Sequence, residues 1–343
     1  MLLRTYPLIT HPAFLRHVEN TLGGEELFAG EAPADVPVHC PRIKSPYQLA
    51  QYLGVNPLLV RSFVATKDKH YREFQIRKRS GGVRTIHAPR TFLKVAQWWI
   101  LDAVFGCREE LPYVFGFTAG RSFIDNAREH QIADYILNVD IKDFFPSANR
   151  SQVYQVFSSL GYNPGVADFL TEICTREGSL PQGAPTSPKL SNIILHDFDI
   201  WAKQVSDQLG CKYTRYADDL TFSSMNRIPQ YLVGEIDSAL SRAGFRLNEN
   251  KTKFMGKNQV KEVTGLILTP TGVALPRRYL NGTRGWFHSI LEAPDRFQHE
   301  RKRVAGTLNL LRQIGGRGTG RLIMAGELAL SVLAEGAPPK LKW

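Results

Sequence analysis

Residues 215–222 read RYADDLTF, two adjacent aspartates inside a run of strand-forming residues. Each raises the cost of ionising the other, so the pair asks for a physical reason. One is a tight turn: the flanks KYTRYA (212–217) and LTFSS (220–224) are rich in Tyr, Thr and Phe and read as two strands joined at Ala217, Asp218 and Asp219. The other is a divalent cation, because a hard ion such as Mg²⁺ takes carboxylate oxygens and substrate phosphates together. The second reading needs a third carboxylate on a neighbouring strand.

The stretch YILNVDIKDFFPS (135–147) offers one. Its apolar run ends at Asp140, and a charge in a buried strand is expensive unless paired or metal-bound. Between Asp140 and the Asp pair lies SLPQGAPTSPKLSNIIL (179–195), a Pro-, Gly- and Ser-rich loop opening into a helix, suited to be the floor for a nucleotide or template base. The spacing leaves room for two crossover helices, RSQVYQVFSSLGY (150–162) and one starting near Pro188.

With 343 residues and 43% hydrophobic content, the chain is long enough for two or three packed subdomains. Its 43 Lys and Arg against 32 Asp and Glu give a net charge of +11, which favours a polyanionic partner. No apolar run approaches the roughly 20 residues of a membrane span, and the N-terminus lacks a signal peptide's pattern. A cytoplasmic protein with no membrane partner is expected. Cys40, Cys107, Cys174 and Cys211 form no CxxC pair, which argues against zinc or a disulfide framework; they read as buried small hydrophobes.

Residues 1 to about 40 read as a loosely structured extension. A helical pair follows: Ser45 and Pro46 start YQLAQYL, Gly54 stops it, and NPLLVRSFVA restarts. The pair loosely resembles a helix-turn-helix, but such pairs are also common packing units. YREFQIRKRSGGVRTIHAP (71–89) reads as a β-hairpin turning at Ser80, Gly81 and Gly82, with Arg72, Arg77, Lys78, Arg79 and Arg84 on its arms. These cations form either a solvated edge or a basic finger that closes over a triphosphate. TFLKVAQWWILDAVF (91–105) and RSFIDNAREHQIAD (121–134) have helical spacing, and Asn126 and His130, four apart, fit one helical face. From Leu275 the pattern is helical again, with twelve Lys and Arg against five Asp and Glu. Tyr279, Trp286 and Phe287 interleave it, either to stack on bases or to fill the core.

Taken in order, NVDIKDFFPS (138–147), LPQGAPTSPKLSN (180–192), YADD (216–219) and GFRLNENKTKF (244–254) resemble the palm motifs of reverse transcriptases, and SGGVRTIHAP (80–89) resembles their fingers motif. NAREH (126–130) and VTG (263–265) resemble the signatures of bacterial retron reverse transcriptases. The resemblance covers about residues 70 to 275.

It implies an α+β, right-hand polymerase: an N-terminal extension with helices (1–69), fingers (70–135), a palm with an antiparallel sheet packed on helices (136–274), and a helical thumb (275–343). Asp140, Asp218 and Asp219 would hold two Mg²⁺ ions, and Lys251 would act as general acid to pyrophosphate, with Lys253 a near alternative. Arg84, partnered by Lys78, would bind the triphosphate. Phe145 would be the steric gate against a ribose 2′-OH, although Phe144 beside it competes for the role. Gln182 would contact the incoming nucleotide or template beside Gly183, and Tyr216 would belong to the same pocket. Thr264 and Gly265 would sit in the primer grip, and Arg277, Arg278, Arg284, Trp286, Arg301, Lys302 and Arg303 would meet the RNA and primer. Asn126 and His130 would fix the palm by hydrogen bonding or touch substrate directly. The implied partners are a cognate noncoding RNA and its DNA product, dNTPs, a separate effector protein and a host RNase H; no RNase H module or endonuclease is read after the thumb. The rivals are a group II intron-like enzyme and a noncatalytic RNA-binding scaffold.

Overall fold

The computed structural model describes residues 40–335 except 42, 78–80, 107 and 317. The predicted N-terminal extension and Lys78 therefore lie outside the described residues. Along the chain run α1 (Pro46–Leu53), α2 (Pro57–Ala65), β1 (Tyr71–Arg77), β2 (Val83–Pro89), α3 (Thr91–Trp99), α4 (Phe123–Arg128), β3 (Tyr135–Asp140) and α5 (Phe144–Ser147). Then come α6 (Arg150–Ser159), α7 (Pro164–Cys174), α8 (Ser187–Ile194), α9 (His196–Gln208), β4 (Lys212–Tyr216), β5 (Asp219–Ser224), α10 (Leu232–Arg242) and β6 (Lys253–Met255). The chain continues through β7 (Glu262–Val263), β8 (Leu266–Thr269), β9 (Gly272–Ala274), α11 (Arg277–Glu292), α12 (Arg301–Ile314) and α13 (Thr319–Glu335). This is an α+β fold of helices and antiparallel sheets.

The described residues form two compact units that alternate along the sequence. One holds the segments up to Pro112, Asp140–Ala202 and Gln230–Glu249; the other holds Tyr113–Val139, Lys203–Pro229 and the segment from Asn250 onward.

In the first unit, local chemistry sets the helix ends. Ser45 Oγ accepts from the Gln48 N–H at the start of α1, and Gly54 ends it at φ 64°. Asn149 and Gln152 cap each other at the start of α6, satisfying two donors that the helix leaves unpaired. The hairpin expected around Gly81 and Gly82 is present as β1 and β2, paired antiparallel from Tyr71↔Pro89 to Arg77↔Val83. The path from Asp140 to Asp218 carries four longer helices, α6 to α9, rather than the two expected. The Pro164 start and the Asn163 cap of α7 are the signals that identify one of the two extra helices.

The second unit carries a four-stranded sheet in the order β4-β5-β3-β6. A second sheet, β7-β8-β9, is a three-stranded meander. Ile136 of β3, Val263 and Leu266 of the meander, and Phe287, Leu308 and Leu322 of α11 to α13 are all buried in one apolar cluster. The expected helix over 121–134 stops at Arg128, so His130 lies in the turn beyond it rather than on a helical face with Asn126. Among the described residues, no helix is long and apolar enough to cross a membrane.

Candidate active site

The Asp pair sits on a tight hairpin. β4 and β5 pair antiparallel with Tyr216 opposite Asp219, which leaves Ala217 and Asp218 as the two turn residues. Ala217 takes φ 57°, a left-handed conformation that costs a non-glycine residue about 1 kcal/mol. Two contacts hold it there. Arg215, fully buried, donates from Nη1 to the Ala217 carbonyl at 3.2 Å. Gly116 lies against the turn from a separate segment, tied to β4 by the Phe115 N–H to the Arg215 carbonyl at 2.8 Å. The turn points its carboxylates outward: Asp219 is exposed and Asp218 half-buried.

The third carboxylate is placed by the sheet. The Asp134 N–H donates to the Ser224 carbonyl at 3.1 Å, so β3 starts beside the end of β5 and the two run in opposite directions. Asp140 closes β3, and Asp219 opens β5. Asp140 is buried, and Asn248 grips it twice, with its N–H on the Asp140 carbonyl (2.8 Å) and its amide Nδ2 on Oδ1 (3.0 Å). Among the described residues, no three His, Cys, Asp or Glu side chains already stand close enough to cage an ion. What the chain offers is an all-oxygen donor set on a turn and a strand end. That fits a hard cation which keeps water and substrate phosphate among its ligands.

Phe144 and Phe145 are assigned to a short helix, α5, entered through Asp143 at φ 44°, and not to a continued strand. Helical geometry still separates them: Phe144 is buried against Phe245 (6.2 Å between centroids), while Phe145 is half-buried and packs edge-on against Phe144 at 5.1 Å. Gln182 is half-buried, and its carbonyl accepts from the His87 N–H (2.9 Å), joining the loop to β2. Gly183 takes φ 122°, and a Cβ there would come within 3.0 Å of Ile86 Cγ2, so this position needs glycine twice over. Arg84 is exposed on β2 opposite Ile76. Lys251 ends a 3₁₀ turn and Lys253 opens β6, both exposed. Burial pushes the Tyr216 phenol above its ordinary pKa, which keeps it neutral.

The two signature motifs meet in the second unit. Thr264 (φ 48°) and Gly265 (φ 78°) form the two-residue turn between β7 and β8, the primed type that fits hairpin twist. Thr264 Oγ1 donates to the Phe123 carbonyl (2.8 Å) at the start of α4, the helix that carries Asn126. Asn126 is fully buried, and neither side-chain amide atom has a hydrogen-bond partner among the described residues. His130 is 1% exposed and bridges Ser223 and Thr214. Burial, with nearby Lys212 adding to it, pulls its pKa down to about 3.

In the C-terminal helices, Arg277, Arg278, Arg284, Arg301, Lys302 and Arg303 are all exposed. Arg303 is already engaged, pairing with Glu300 (3.0 Å) and lying 4.5 Å over the Trp286 ring. Trp286 is half-buried and tilted against the buried Phe287.

Residues 76–268 match the reverse transcriptase (RNA-dependent DNA polymerase) family. The chain is 32% identical over 286 residues to the retron Ec86 reverse transcriptase of Escherichia coli, an alignment covering 82% of this chain and 88% of that protein. It is 35% identical over 264 residues to the retron Mx162 reverse transcriptase of Myxococcus xanthus (66% of this chain, 54% of the relative). The retron Mx65 reverse transcriptase of the same organism is 31% identical over 297 residues (80% and 69%). The chain belongs to the retron reverse transcriptases. It is an RNA-directed DNA polymerase, and reverse transcriptase domains generally use divalent metal ions.

Sequence reasoning missed Gly116, Asn248, and the Thr214 and Ser223 partners of His130. Asn248 stood inside a quoted motif, and alternation placed Thr214 and Ser223 on strands. Nothing in residues 113–118 marked Gly116, because its reason is a contact made about 100 positions away.

Proposed function

We propose that this reverse transcriptase copies a structured noncoding RNA into a small single-stranded DNA in the cytoplasm, starting from an internal 2′-OH of that RNA. Asp140, Asp218 and Asp219 hold two Mg²⁺ ions. The observation that carries the reading is the tight hairpin that turns two adjacent carboxylates outward at its tip. When bound, the ions supply activation of the attacking hydroxyl and neutralisation of the departing pyrophosphate.

The chain's own residues do the rest. Arg84 and Lys78 bind the triphosphate, the Gln182–Gly183 loop orients the base pair, and Tyr216 contacts the substrate. Phe145, the less buried of the two phenylalanines, excludes a ribose 2′-OH. Lys251, exposed at the end of its 3₁₀ turn, delivers a proton to the leaving pyrophosphate. Thr264 and Gly265 support the primer end, and the exposed cations of α11 and α12 hold the duplex by its phosphates, with Trp286 stacked under Arg303. A host RNase H removes the template, and a separate effector protein joins the RNA–DNA product in defence against phage.

The test is to purify the protein from cells carrying its native locus and challenge the bound nucleic acid with DNase, RNase and a debranching enzyme. A discrete DNA released from its RNA only by debranching supports the reading. Linear cDNA would point to a different priming chemistry, and RNA without DNA to a scaffold. Asp218→Asn must keep RNA binding and lose synthesis.

A further inference from the structure

We infer that His130 is a positioning residue for the polymerase reaction: it fastens the two arms of the hairpin to each other and so fixes where Asp218 and Asp219 stand. The inference rests on that Asp pair being catalytic, as proposed above. His130 Nδ1 lies 2.7 Å from Ser223 Oγ on β5, and Nε2 lies 2.7 Å from Thr214 Oγ1 on β4. Thr214 stands four residues before Asp218 and Ser223 four residues after Asp219. Counted from the terminal Tyr216–Asp219 pair, Thr214 lies two rungs back and Ser223 four, so the clasp ties the arms diagonally, about 7 and 13 Å behind that pair at strand rise.

The chemistry explains why a histidine is used. Neutral imidazole carries one N–H donor and one ring-nitrogen acceptor, and a Ser or Thr hydroxyl can answer either, so one ring satisfies two buried hydroxyls on separate strands. Thr214 and Ser223 are 2% and 4% exposed, so losing the ring leaves both buried without that partner. No substrate reaches His130 directly at its 1% exposure. The turn that carries it is anchored as well. Glu129 pairs with Lys212 of β4 (2.8 Å), and Thr264 holds the opening residue of α4 through the Phe123 carbonyl. The two signature motifs thus converge on one frame, with Thr264 at the head of α4 and His130 just past its tail.

The test is steady-state extension of an RNA-templated primer by His130→Ala, His130→Gln, the pair Thr214→Val with Ser223→Ala, and the triple variant, with RNA affinity and melting temperature measured alongside. His130→Ala is expected to lower kcat about 10²-fold, the scale of a roughly 1 Å misplacement, with KM for dNTP and RNA affinity unchanged. The Thr214/Ser223 pair should lose a similar factor and the triple variant no more, because all three act through one clasp. His130→Gln, whose amide offers both a donor and an acceptor, should recover part of kcat. An RNA-affinity loss that matches the kcat loss, or additive losses in the triple variant, would overturn the inference. If His130→Ala does not fold, the Thr214/Ser223 pair, which keeps the imidazole, carries the same kcat-against-KM comparison. Asp218→Asn runs beside them. If it polymerises normally, the reading of the Asp pair fails; if it is dead while His130→Ala keeps full kcat, the clasp alone fails.

Discussion

Gly116 is in such close contact with Ala217 that a Cβ built on it would sit 2.1 Å from the Ala217 nitrogen and 2.9 Å from its Cα. Both are backbone atoms of the turn that carries Asp218, so no side-chain rotation relieves the clash. Gly116→Ala is expected to displace the turn and lower kcat by about 10²-fold or more while RNA affinity holds. Primer extension beside filter binding checks it, and an alanine variant with full kcat would show that the turn tolerates the shift.

Phe144 and Phe145 are adjacent but should fail differently. Truncating the buried Phe144 to Ala should cost about 3–5 kcal/mol of stability. Phe145→Ala should leave the fold largely intact and improve ribonucleotide use relative to deoxynucleotide use by about 10-fold or more, the scale on which pocket shape discriminates. Thermal melts and kcat/KM ratios for the paired nucleotides separate the two.

The acid limb of stability should carry the signature of His130. Its folded pKa lies near 3 against an ordinary 6.5, so between those values the unfolded chain binds a proton that the folded chain refuses. Stability should therefore fall as pH drops through that window, by at most about 1.4 kcal/mol per unit from this group. His130→Gln should flatten the fall. Denaturant titrations at pH 7, 5.5 and 4 measure it, and equal slopes in both proteins would contradict the assignment.

In the C-terminal helices, a Cβ on Gly326 would meet Leu308 Cδ2 at 2.6 Å and the Phe287 ring at 2.7 Å, both buried. Overpacking costs about 1–3 kcal/mol, against about 1 kcal/mol gained in helix propensity. Gly326→Ala should therefore lower the melting temperature modestly. A rise would mean that the crossing of α11, α12 and α13 has slack.

Much of this architecture could be read from the sequence because the informative signals were local. The alternation around RYADDLTF, the glycines of the 71–89 hairpin and the cap at Ser45 each act within a few residues. Where the reading slipped, a distant contact had overridden a local pattern. His130 fits a helical spacing from Asn126, but the helix ends at Arg128 and the ring bonds to β4 and β5. Phe145 fits strand alternation until Asp143 turns left-handed and starts α5. Gly116 has no local signature at all.

The sheet that frames the hairpin also sets a timetable. β3 pairs with β6, more than a hundred residues later, and Val114 bridges to Arg215 across a similar gap, whereas α6 and α7 pack against each other close in sequence. During synthesis the helices and the β4–β5 hairpin can settle early, while β3 must wait for residue 255 to emerge before its second edge is covered. A chain halted before Met255 would leave β3 as an unpaired edge, open to the wrong neighbour. Such fragments should aggregate rather than polymerise slowly.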